Sequence, residues 1–95
     1  MPVRSGTIYE GEVGTVIDID MRRDISTAIN ITLLVLKPGD VTATWVPTVA
    51  GARTLRYTTV AGDLVAGVTQ IQPHLTLGAW TGYGRPVFIQ VHRPL

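Results

Sequence analysis

The stretch LRYTTVAGDLVAGVTQIQPHLTLG, residues 55–78, alternates, breaks on a small Gly-Asp cluster, and then alternates again. Leu55 and Tyr57 share one parity, with polar neighbours between them. Beyond Ala61-Gly62-Asp63, the residues Thr69, Ile71, Leu75 and Leu77 again share one parity. A period of two is the mark of a strand with one face buried. The pattern therefore reads as two strands joined by a compact turn, the second starting near Val68. Pro73 interrupts that second strand and cannot donate to a ladder, which implies an edge position or a bulge there.

The same period runs through the rest of the chain. Val13, Thr15, Ile17, Ile19 and Met21 alternate with polar or small residues. Ile29, Ile31, Leu33 and Val35 do likewise, until the run thickens at Leu34 and Leu36. Lys37-Pro38-Gly39-Asp40 is a turn in which Pro presets φ and Gly accepts positive φ. Val41, Ala43 and Trp45 then alternate with Thr42 and Thr44, so strands at 28–37 and 41–46 should form an antiparallel hairpin with Trp45 in the core. Ala50-Gly51-Ala52 is a second turn. Residues 78–84 carry three glycines and read as a loop with Trp80 and Tyr83 at its tip. Val87, Ile89 and Val91 define the last strand. The best helical candidate, residues 60–66, amounts to one turn.

These signals describe one domain over residues 1–95: an all-β, single immunoglobulin-like β-sandwich of about 6–8 antiparallel strands. The polar, Gly-containing start, residues 1–6, is expected to be a flexible N-terminal arm. Its lack of an apolar h-region argues against a secretory signal, which points to synthesis in the cytosol. No run approaches the ~18–20 apolar residues of a membrane span.

The composition narrows the function. Eight Lys+Arg against seven Asp+Glu give a formal charge of +1, so no large field draws the chain to nucleic acid or an anionic membrane. There is no Cys, hence no disulfide and no thiolate metal site. Charged residues make up 16%, below the usual quarter, and a small domain so poor in charge is expected to have part of its surface covered by partners.

Catalytic and metal-binding groups are sparse. His74 and His92 both fall on the polar parity of their strands, as surface residues do. Asp18 and Asp20 share a strand face with only Glu10 and Glu12 near them in sequence, short of the ~6–8 oxygens that Ca²⁺ takes. Asp24 and Asp40 read as turn formers. Neither Ser5 nor Ser26 lies in a nucleophile elbow. GYGRP, residues 82–86, resembles a phosphate loop, but no helix follows it to supply a dipole. Arg22-Arg23 is too short for a nucleic-acid patch. The expectation is a chain with no catalytic residue, no metal and no cofactor.

The misplaced apolar residues are more informative. Phe88 sits on the polar parity of the last strand, and Leu34, Leu36, Val16 and Val46 on the outer parity of theirs. A contiguous exposed apolar patch marks an interface. The candidate protein interface is therefore Leu34, Leu36, Val46 and Phe88, joined by Trp80 and Tyr83 on the glycine-rich loop. Those two aromatics also raise a second reading, a stacking platform for a host receptor or glycan.

Four stretches together carry a resemblance: GTVIDIDM (14–21), LLVLKPGDVTATW (33–45), RYTTVAGDLVAG (56–67) and VFIQVHRPL (87–95). In their order and turns they resemble the immunoglobulin-like domain at the N-terminus of the baseplate upper protein of lactococcal phages. The resemblance spans roughly Gly11 to Leu95. Thr69 stands where that family often has Trp, and Pro73 where it has an ordinary residue. The resemblance implies a non-enzymatic virion structural protein, assembled in the bacterial cytoplasm and docking other phage proteins in multiple symmetric copies. Its site would be the tail or baseplate, or alternatively the head, as a decoration protein on the major capsid protein.

Overall fold

The computed structural model describes residues 7–95, so the expected arm at 1–6 lies outside the described residues. Within them the chain is all-β, without a helix, and its nine strands form two sheets. These are β1 (Ile8–Tyr9), β2 (Val16–Asp20), β3 (Ile29–Lys37), β4 (Val41–Trp45), β5 (Thr48–Gly51), β6 (Thr54–Thr58), β7 (Gly67–Leu77), β8 (Trp80–Tyr83) and β9 (Val87–His92). The larger sheet has the order β1-β9-β7-β3-β4, with β8 also paired to β7; the smaller is β2-β6-β5. All pairs are antiparallel except β1 with β9, where Ile8 lies beside Val91 in parallel. The wholly antiparallel expectation fails at that pair. A two-residue strand carries too little alternation to announce itself.

Inward residues of both sheets make one core. Ile17, Ile19 and Leu55 from the smaller sheet cluster with Leu33, Val35, Ile71, Leu75, Ile89 and Val91 from the larger. Each such side chain contributes about 1.5–3 kcal/mol on burial. Ile25 and Leu64 join the core from connections between strands. Trp45 is buried and its ring lies 4.4 Å from that of Tyr57, nearly parallel at 8°, which ties β4 of one sheet to β6 of the other.

The crossover at 59–66 is what residues 55–78 encode: β6 belongs to the smaller sheet and β7 to the larger. Asp63 holds it. Its Oδ2 accepts from the Tyr57 hydroxyl at 2.6 Å and from the Val60 N–H at 2.8 Å. Desolvation first, and then the hydrogen bond to Asp63, push the Tyr57 phenol well above its ordinary value. At the far side of the crossover Gly67 has φ 124, and a Cβ there would meet the Pro38 Cγ at 2.6 Å. The β3–β4 turn thus rests directly on the Gly67 backbone.

Several sequence expectations change. Pro73 is buried in a strand with neighbours on both sides. Its carbonyl accepts from the Gly84 N–H on the side where β8 gives way to β9. N–H and C=O of one residue in an antiparallel strand point the same way, so the absent proline N–H faces this break in the ladder. Ile29 is exposed rather than inward, because Asn30 takes φ 54 and the β3–β7 register shifts between Ile29 and Thr32, reversing the phase. Ile31, next to that shift, is only half-buried. Val13 is exposed because β2 begins only at Val16, after a turn with positive φ at Gly11 and Gly14. Residues 78–84 are not a loop: Trp80–Tyr83 forms β8, antiparallel to the end of β7.

Candidate functional site

The outer face of the larger sheet is built by register. Thr42 lies opposite Leu36, Leu36 opposite Gln70, and Gln70 opposite Phe88, a row crossing β4, β3, β7 and β9. At a strand spacing of ~4.8 Å it spans roughly 14 Å. The next row is Thr44, Leu34 and Gln72, whose side-chain amide donates to the Gly84 carbonyl at 3.2 Å. A third runs from Thr32 to His74 and Tyr83, the last two rings in edge contact at 4.8 Å. Thr76 and Thr81 share a hydroxyl hydrogen bond beyond it. Val68 with Gln90, and Tyr9 with His92, complete the other end.

No Asp, Glu, Lys or Arg occurs in any of these rows. An ordinary protein surface carries roughly a quarter to a third charged residues. The charge has gone elsewhere. On the smaller sheet Asp18 lies directly opposite Arg56, which donates Nε and Nη2 to the two carboxylate oxygens at 2.8 and 3.0 Å. That hydrogen bond holds the Asp18 carboxyl below its usual range. Asp20 accepts from the Arg22 N–H and Asp24 from the Ser26 N–H, as turn formers do. Among the described residues, no three His, Asp or Glu side chains gather in a group fit for a metal ion.

The uncharged face is not flat. Leu34, Leu36, Thr42, Thr44, Gln70 and Gln72 line a shallow groove of about 520 Å³. Leu34 and Leu36 are each 38% exposed, and Phe88, at the end of the row, 59%. Such a surface binds through apolar contact and through hydroxyl and amide groups that both donate and accept. No ionic group has to be desolvated.

The six candidate interface residues do not all meet. Leu34, Leu36, Phe88 and Tyr83 share this outer face. Val46 lies past the end of β4, in the link to the smaller sheet. Trp80 pairs with Leu77 on the opposite parity, its ring covering Gly82 and the Arg23 guanidinium stacked 5.3 Å from its centre. Trp80 and Tyr83 stand three residues apart on one strand and point to opposite faces, so they do not form a shared stacking platform. Sequence reasoning missed the contribution of Gln70 and Gln72. Their outward parity was visible, but their neighbours were not.

No protein-family model, no curated protein and no solved structure matches this chain.

Proposed function

We propose that this chain is a non-enzymatic structural protein of a tailed-phage virion, folded as an immunoglobulin-like β-sandwich. It docks other virion proteins in multiple symmetric copies, as a tail or baseplate adaptor. The observation that carries the docking role is the uncharged outer face of the larger sheet, with Phe88 exposed at the end of its central row. Interface energy concentrates in a few aromatic anchors surrounded by near-neutral contacts, and Phe88 with the Thr, Gln and Leu rows has that composition.

Two further features support the immunoglobulin-like reading. In chain order the strands fall where A′, B, C, C′, D, E, F and G fall in a variable-type domain, with β2-β6-β5 opposite β9-β7-β3-β4. β8 is then an added arm between F and G. The chain also changes sheet between β4 and β5 and again between β6 and β7, as such a sandwich requires. The phage assignment rests on the four stretches that resemble the baseplate upper protein family.

Phe88→Asp tests the proposal. An outward side chain contributes little to the core, so circular dichroism and the melting transition should match the parent. Incorporation into particles should fail, because the contact would bury an unpaired charge. Cryo-EM of virions carrying the parent chain then locates the density on tail or head. Normal occupancy of the Phe88→Asp chain would refute the docking face.

A further inference from the structure

The free edge of β4 is unlike the other edges of the two sheets. Proteins blunt exposed strand edges with charges, Pro, bulges or extreme shortness, because unpaired backbone groups template further pairing. β2 carries Asp18 and Asp20. β5 has a register shift between Val49 and Gly51. β1 is two residues long, and β8 is four, with Trp80 folded over Gly82. β4, Val41-Thr42-Ala43-Thr44-Trp45, has none of these devices, and it pairs with β3 in unbroken register along its whole length. Among the described residues its only hydrogen-bonded neighbour strand is β3. Alternate residues of an edge strand direct their N–H and C=O away from the sheet, and no other backbone segment takes up those of β4 among the described residues.

The sequence of β4 is also complementary to itself. Laid antiparallel on a second copy about a two-fold axis at Ala43, Thr42 of each copy faces Thr44 of the other on the outer surface. Val41 faces Trp45 on the inner one. Thr–Thr and aromatic–β-branched pairs are favourable cross-strand neighbours, whereas like charges directly opposite would be destabilising. β4 contains no charge to repel its copy. The grooves of the two copies, each lined by Thr42 and Thr44, would run together across the axis.

We propose that β4 is the surface through which two copies of this chain join, edge to edge, into one continuous sheet. The contact is isologous, as two-fold contacts are. A five-residue edge buries less than the ~1,200 Å² of a stable stand-alone interface. The dimer is therefore weak in solution and gains strength where neighbouring contacts hold the copies together. The edge is separable from the docking anchor, since Phe88 lies three strands away, while Thr42 and Thr44 belong to both surfaces.

The absence of Cys makes the test clean. Thr42→Cys and Thr44→Cys chains are purified separately, then oxidised alone and as an equal mixture. Opposed residues in an antiparallel pair have Cα atoms ~4.5–5.5 Å apart, within disulfide reach. The mixture should cross-link several-fold faster than either chain alone. In parallel, sedimentation velocity of the parent chain should show a dimer that grows with concentration. Thr42→Lys/Thr44→Lys should be monomeric with unchanged circular dichroism, and Phe88→Asp should dimerise like the parent. A parent chain that stays monomeric at its highest soluble concentration, a lysine variant that still dimerises, or a mixture no faster than its components would each overturn the proposal.

Discussion

Trp45→Ala tests the core most directly. Trp45 is only 3% exposed and its ring stacks on Tyr57 across the two sheets, so truncation removes both burial and the contact that joins them. Large aromatic truncations cost ~3–5 kcal/mol, and stacked aromatic pairs carry ~0.5–1.5 kcal/mol beyond area. Against the ~5–15 kcal/mol total of a natural domain, the variant should lose a large share of its stability. Trp45→Phe separates the causes. It keeps a ring against Tyr57 but leaves a void of a few tens of Å³, costing ~1 kcal/mol at ~24 cal/mol per Å³. It also removes the indole N–H, which is buried and finds no hydrogen-bond partner among the described residues. Relieving an orphaned buried donor returns ~1–3 kcal/mol. Trp45→Phe should therefore lie within about 1 kcal/mol of the parent, while Trp45→Ala loses ~3 kcal/mol or more. Equilibrium urea denaturation, followed by far-UV circular dichroism, measures both. A Trp45→Ala loss below about 1 kcal/mol, or equal losses for the two variants, would refute this account of the inter-sheet contact.

Two further outcomes follow from the crossover. Tyr57 has a raised phenol pKa, so its contribution is fully present below the unfolded value of ~10 and is lost as pH rises past it. The stability advantage of the parent over Tyr57→Phe, measured by denaturation at successive pH values, should shrink above pH ~10; an advantage independent of pH would mean that the Asp63 contact is energetically silent. Gly67→Ala combines φ 124 with a steric clash on Pro38 and should cost at least ~1–3 kcal/mol, whereas Ala at solvent-facing Gly51, whose φ is ordinary, should be nearly neutral.

In the strands that the sequence announced, local alternation determined which side faces the core, apart from the start of β3. Leu33 and Val35 point in while Leu34 and Leu36 point out, and Phe88 falls outside Ile89 and Val91, because a strand's side-chain period is a property of its own backbone. The β3–β4 turn and the crossover at Asp63 were legible for the same reason: Pro, Gly and Asp act on the residues beside them. Where neighbours decide, the sequence was silent. Ile29 reverses its face because β3 shifts register against β7, a strand some forty positions away in the chain. Pro73 stands inside the sheet because its missing N–H meets the break between β8 and β9. β1 joins β9 from the other end of the chain. The candidate site is of this second kind. Thr42, Leu36, Gln70 and Phe88 each showed an outward parity, but only pairing between distant strands sets them in one row. The uncharged face and the unprotected β4 edge are properties of the assembled sheet, which no single strand contains.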